Sequence, residues 1–254
     1  MRICCLIPAR YDSSRLPGKP LLKINNKTVI RLTWEKCKDV TNIKNEDIYV
    51  VTDDDRIKSE IEKYNGNVIM ITEYCLNGTE RICKALEKLN KEYDVVVNVQ
   101  GDEPFIKSEN IDIAINRFVD TKKNNLVYNC VCSTLHYKIT DENQLDDRGI
   151  GKLVLDKNNR ILYCSRAMIP HTKTGKYDKE GIYNGHIGVF VFDRNYLNEY
   201  MKKNTMAQLV EDIEWLKIIE DGYNIVSSEV NESEIGINTP EDYKYLLDKY
   251  EKNL

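Results

Sequence analysis

Ile3-Cys4-Cys5-Leu6-Ile7-Pro8-Ala9-Arg10-Tyr11-Asp12-Ser13-Ser14-Arg15-Leu16-Pro17-Gly18-Lys19-Pro20 is the stretch that decides the fold. An unbroken apolar run leads directly into a turn-rich loop carrying Arg10, Arg15 and Lys19. A short run that is apolar at every position suits a strand of a parallel sheet covered on both faces. Open parallel sheets bind ligands beyond the carboxyl ends of their strands. A loop there with cations and small residues fits a polyanion, above all a nucleoside triphosphate, with Gly18 and Ala9 allowing close backbone approach. The segment is neither a Walker loop nor G-x-G-x-x-G, and a merely solvated basic loop is the competing reading.

Working outward, Ile48 to Thr52, Val68 to Ile71 and Val95 to Val99 read as further strands, separated by amphipathic helical patterns from about Thr28 to Lys38, Asp55 to Tyr64 and Thr79 to Leu89. That alternation predicts βαβ units, so the fold class is α/β with a mainly parallel mixed sheet. Beyond residue 125 the rhythm changes. Leu126 to Leu135, Lys152 to Leu155 and Ile161 to Cys164 read as strands, with Asp156 to Arg160 as the turn of a hairpin. Ile187 to Phe192 is another strand, followed by a helix near Gln208 to Glu220 and a short strand near Tyr223 to Val226. A last helix opens at Thr239-Pro240-Glu241-Asp242, where Thr239 caps, Pro240 suits the first helical position and the acids complement the dipole. Thr172 to Gly181 is polar and reads as a loop. A single domain over residues 1–254 with a β-rich insertion is the expected organisation.

The charge balance, 37 Lys plus Arg against 41 Asp plus Glu, gives no general attraction to nucleic acid, so an anion site must be local. The eight cysteines lie mostly in apolar runs without CxxC and read as reduced core residues. Cys130 and Cys132 would share one face of a strand, as packing or as a metal or redox pair. No run approaches the length needed to cross a bilayer, and a soluble, cytoplasmic protein is expected.

Asn98-Val99-Gln100-Gly101-Asp102-Glu103-Pro104 follows the most apolar strand. Asp102 beside a triphosphate would hold Mg2+ through oxygen, against the alternative of a tight turn that binds its own backbone. Asn77-Gly78-Thr79-Glu80-Arg81 stands at a helix start, where Asn77 or Thr79 could cap and free N–H groups could meet a ligand. Ser165-Arg166 and His186 could read a substrate carboxylate or hydroxyl, or be a surface ion pair and a structural imidazole.

Together these segments resemble the 3-deoxy-manno-octulosonate (Kdo) cytidylyltransferase family. Ile7 to Arg10 with Ser14 to Leu21 looks like its opening signature and Asn98 to Pro104 like its metal-binding signature; Gly78 to Arg81, Ser165 to Ala167, His186 to Gly188 and Thr239 to Asp242 follow in order. The resemblance implies a Rossmann-like nucleotide-diphospho-sugar transferase fold, usually a homodimer, that uses CTP and Mg2+ to make a CMP-sugar. It implies nucleotide binding by Pro8, Ala9, Arg10, Arg15, Lys19, Gly78, Thr79, Arg81 and Gln100, with Arg10, Lys19 and Asp102 as the catalytic set. It also implies acceptor binding by Gln100, Arg166, His186, Glu211 and Asp212, metal ligation by Asp102 and Asn238, and an acceptor-binding and dimerisation part near residues 126–190. Asn238 stands where the family usually has Asp, which removes a charge from the metal site and leaves a nucleotide-binding protein without turnover as an alternative. Glu211-Asp212-Ile213-Glu214 is read onto the family's Glu-Gln-Leu-Arg, a gain of acid that points to a different small acceptor or to an amino-substituted acid sugar.

Overall fold

The structure is a computed structural model that describes residues 1–13, 15–202, 204–231 and 236–251; Ser14 of the opening signature lies outside the described residues. The chain divides into two units, Met1–Asp112 with Glu234–Leu254, and Ile113–Ser233.

In unit one the strands are β1 (Ile3–Ala9), the two-residue pair β2 (Lys23–Ile24) and β3 (Lys27–Thr28), β4 (Ile48–Thr52), β5 (Asn67–Met70) and β6 (Val95–Val99). Helices α1 (Val29–Lys38), α2 (Asp55–Glu62) and α3 (Gly78–Glu87) alternate with them. β6, β1, β4 and β5 lie side by side and all parallel, so the central strand β1 delivers its loop at the carboxyl edge. Every residue of β6 is buried, as its continuous apolar pattern demands. The C-terminal helix, Pro240–Glu251, packs on the small hairpin through Ile24, Val29, Ile237 and Leu246. Its start is the expected one: Thr239 Oγ1 accepts from the Asp242 N–H at 3.2 Å, while the Asp242 carboxylate accepts from the N–H groups of Asn238 and Thr239.

α4 (Ser108–Lys123), an amphipathic segment not singled out in the sequence, carries the chain into unit two. There follow β7 (Cys130–Lys138), α5 (Glu142–Asp146), β8 (Lys152–Leu155), β9 (Ile161–Ser165), β10 (Asn184–Asp193), α6 (Arg194–Tyr200), α7 (Met206–Glu211), α8 (Leu216–Glu220) and β11 (Asn224–Glu229). β8 and β9 form the expected antiparallel hairpin; β10 runs antiparallel to both β7 and β8, and β11 is parallel to β7. The one helix expected over Gln208 to Glu220 is two, because Asp212 takes a left-handed backbone (φ 51°) that ends α7. All eight cysteines are free and buried.

Gly101, two residues past the end of β6, shows how tightly the sheet edge is built. A Cβ there would lie 2.7 Å from the Pro8 carbonyl and 3.2 Å from the Ala9 side chain. Gly101→Ala is therefore expected to force β1 and β6 apart at their ends and to cost about 1–3 kcal/mol in urea unfolding.

Candidate active site

Unit one gathers its chemistry where β1, β4 and β6 end. Lys19, in the turn after the basic loop, donates from Nζ to Asp102 Oδ2 at 2.5 Å and to the Ile237 carbonyl at 2.7 Å. The pair is sheltered, with side-chain exposures of 13% and 28%. The Ile237 N–H donates back to the Asp102 carbonyl at 2.9 Å, so the return of the chain before the last helix is tied to the end of β6. Arg15 reaches Asn238 Oδ1 at 3.4 Å. Four of the expected residues, Arg15, Lys19, Asp102 and Asn238, thus meet in one cluster.

Pro8, Gly78 and Gln100 form an adjoining contact: a Cβ on Gly78 would touch Pro8 at 3.3 Å and the Gln100 carboxamide at 3.5 Å. Asn77 caps α3 by accepting from the Glu80 N–H at 2.9 Å. Thr79 is buried. Arg81 is buried as well and donates to Asp53 Oδ2 (2.8 Å) and the Ile71 carbonyl (2.9 Å). Asp53 also accepts from the Tyr11 N–H at 3.3 Å, bracing the basic loop against α3. Sequence reasoning missed Asp53, although it follows β4 at the same edge that singled out Asp102 after β6. Arg10 is exposed and makes no ion pair among the described residues.

The donors around Asp102 suit a hard divalent cation: one carboxylate, the Asn238 amide oxygen and the Ile237 carbonyl, with the Lys19 ammonium now held between Asp102 and Ile237. Among the described residues no three His, Cys, Asp or Glu side chains stand together.

In unit two, Arg166 is clamped rather than open. Its Nε donates to the Glu211 carbonyl (2.8 Å), Nη1 to the Arg148 carbonyl (2.8 Å) and Nη2 to the Asp212 carbonyl (2.6 Å). The guanidinium thereby satisfies carbonyls left over at the end of α7, the physical reason the helix stops there. The Glu211 carboxylate accepts from Ser165 Oγ (2.7 Å) and the Arg166 N–H (3.1 Å). Buried Lys152 donates to the carbonyls of Asp147 and Arg166, and burial lowers its pKa. Asp212 is 97% exposed, 3.7 Å from Arg166. Glu214-Trp215-Leu216-Lys217 fits Glu-Gln-Leu-Arg better than Glu211–Glu214 does, with Leu in third place and a cation in fourth. Leu216 and Lys217 are both buried.

His186 stands between Phe190 and Trp215, with ring centroids 5.0 Å from each, and its Nε2 lies 2.8 Å from Thr134 Oγ1. Burial pushes its pKa down to about 3, with nearby His136 adding to the shift.

Over residues 4–230 the sequence matches the family described as Cytidylyltransferase. The chain belongs to the cytidylyltransferase family. It is 41% identical to the mitochondrial 3-deoxy-manno-octulosonate cytidylyltransferase of Arabidopsis thaliana, over 96% of this chain and 82% of that one. It is 35% identical to an 8-amino-3,8-dideoxy-manno-octulosonate cytidylyltransferase of Shewanella baltica, over 96% of each. The solved structure of CMP:2-keto-3-deoxy-manno-octonic acid synthetase complexed with CTP superposes with a TM-score of 0.88 at 28% identity, covering both chains fully. The fold is thus the α/β nucleotidyltransferase fold expected from the sequence.

An ordinary histidine titrates near 6.5, so between that value and about 3 the unfolded chain binds a proton that folded His186 does not. His186 should therefore cost stability as pH falls through this window and nothing above it. Urea midpoints at about pH 5 and about pH 8 are expected to differ less in His186→Gln than in the parent protein.

Proposed function

We propose that the protein transfers CMP from CTP to the anomeric hydroxyl of Kdo or a related 3-deoxy-2-keto acid sugar, releasing pyrophosphate. The observation that carries this reading is the joining of Lys19 and Asp102 at the carboxyl edge of the parallel strands, in a chain of the cytidylyltransferase family.

In this reading unit one holds the nucleotide. Arg10, Arg15 and Lys19 neutralise the triphosphate, Arg81 is kept in place by Asp53, and Pro8, Ala9, Gly78, Thr79 and Gln100 shape the pocket for base and ribose. Asp102 and Asn238 would hold Mg2+, which supplies charge neutralisation on the phosphoryl oxygens when bound. The acceptor hydroxyl oxygen forms its bond to the α-phosphorus as the bond to pyrophosphate breaks, the leaving oxygen keeping the bonding pair and the hydroxyl proton passing to water. Little covalent work falls to the side chains, so positioning and electrostatic stabilisation by Lys19 and Arg10 supply the acceleration. With a triphosphate bound, its oxygens would compete for the Lys19 ammonium and leave the Asp102 carboxylate free to hold Mg2+.

Residues 126–190 with the segment from Glu211 carry the acceptor, through His186, Arg166, Glu211 and Asp212. The half-exposed apolar side chains of Leu162 and Tyr163 on β9 fall in the same stretch and support a homodimer contact there. Eight free thiols fit the cytoplasm. A second reading, an amino-substituted acid sugar as acceptor, is favoured by the exposed carboxylate of Asp212 and by the likeness to the Shewanella baltica relative.

Purified protein with CTP, Mg2+ and Kdo is expected to release pyrophosphate; silence with every 3-deoxy-2-keto acid and every nucleoside triphosphate would overturn the proposal. Lys19→Met should lower kcat by about 10²–10³-fold, the range for losing one charge-stabilising donor. If the acceptor carries an ammonium group, Asp212→Asn is expected to raise KM several-fold for the amino sugar and to leave KM for Kdo unchanged, as read by pyrophosphate release.

A further inference from the structure

An irregularity in β10 gives the acceptor residues of unit two a defined hydrogen-bond direction. β10 pairs with β7 from Asn184↔Lys138 to Ile187↔Leu135 and resumes only at Phe190↔Thr134, so Gly188 and Val189 form a bulge. The carbonyls of Ile187 and Val189 turn instead to one buried hydroxyl: Thr134 Oγ1 lies 2.6 Å from the Val189 oxygen and 3.4 Å from the Ile187 oxygen. The same Oγ1 is 2.8 Å from His186 Nε2. A carbonyl only accepts, and a hydroxyl has one proton to give. Were that proton aimed at the ring, two oxygens would face each other at 2.6 Å with nothing between them, at a side chain fully removed from water. The proton therefore belongs to Val189, Oγ1 accepts from the ring, and Nε2 carries the hydrogen. The imidazole is neutral, held so by burial. A neutral ring with hydrogen on Nε2 keeps a bare lone pair on Nδ1, and Nδ1 has no partner among the described residues.

We propose that Thr134 is a positioning residue that locks His186 as the Nε2–H tautomer, so that Nδ1 accepts a hydrogen bond from a hydroxyl group of the acceptor rather than pairing with its carboxylate. This rests on the acceptor assignment made above. A neutral lone pair repels a carboxylate and attracts an O–H, so His186 selects for a sugar hydroxyl, and an acceptor lacking it leaves Nδ1 unsatisfied.

The test is two-bond ¹⁵N–¹H correlation of the full chain labelled in its histidines, with His186 assigned by the peaks missing in His186→Gln. The expected pattern is a protonated Nε2 and an unprotonated Nδ1 that moves upfield on saturation with the acceptor. Thr134→Val is expected to abolish the tautomer bias and raise the acceptor KM about tenfold while leaving KM for CTP unchanged, and Thr134→Ser to restore both. A hydrogen on Nδ1, an imidazolium at neutral pH, or an Nδ1 indifferent to saturating acceptor would overturn the proposal. Should Thr134→Val fail to fold, the parent spectra and Thr134→Ser still decide it. Absence of pyrophosphate release with any acceptor would instead remove the underlying functional reading, and is distinguished by spectra that keep the Nε2–H pattern.

Discussion

The Lys19 ammonium answers to two oxygens at once, the Asp102 carboxylate and the Ile237 carbonyl. One belongs to the turn after the most buried strand, the other to the return of the chain ahead of its last helix. Without this cation the Asp102 carboxylate would stand sheltered and uncompensated beside a carbonyl dipole, an expensive arrangement for any fold. The apolar contact of Ile237 and Leu246 with Ile24 and Val29 holds the same return in place from the other side. Polar and apolar forces agree there, and the oxygen cluster is the outcome.

Unit one was legible because its strands are buried on both faces and announce themselves by composition alone. β4 and β6 have the bounds their apolar runs predict, and β1 exceeds its run only by Pro8 and Ala9. The edge rule for parallel sheets then located Asp102 and the basic loop without further information. It would equally have located Asp53, whose importance comes from a partner, Arg81, that is distant in sequence. Periodicity describes a segment and its environment; it carries no record of which far segment will supply a counter-charge.

Unit two was harder to read for the same reason. From Gln208 to Glu220 the local pattern favours one helix, and the interruption at Asp212 comes with Arg166, a residue outside both helices that takes the carbonyls of Glu211 and Asp212. The bulge at Gly188 and Val189 is similarly invisible to an alternation count, because a hydroxyl on the neighbouring strand replaces the missing ladder bonds. In both places tertiary hydrogen bonding overrode local preference, and both lie beside residues assigned to the acceptor, where departures from regular structure are expected to concentrate.

Because unit one is assembled from segments on either side of the intervening 113–233 stretch, itself a compact unit, its polar cluster has a birth order. A growing chain makes the basic loop and the end of β6 early, yet the Ile237 carbonyl that steadies Lys19 emerges only after the whole of unit two. This edge is thus completed only after unit two, and a product interrupted before residue 237 would carry Arg10, Arg15 and Lys19 without the oxygen that aims Lys19.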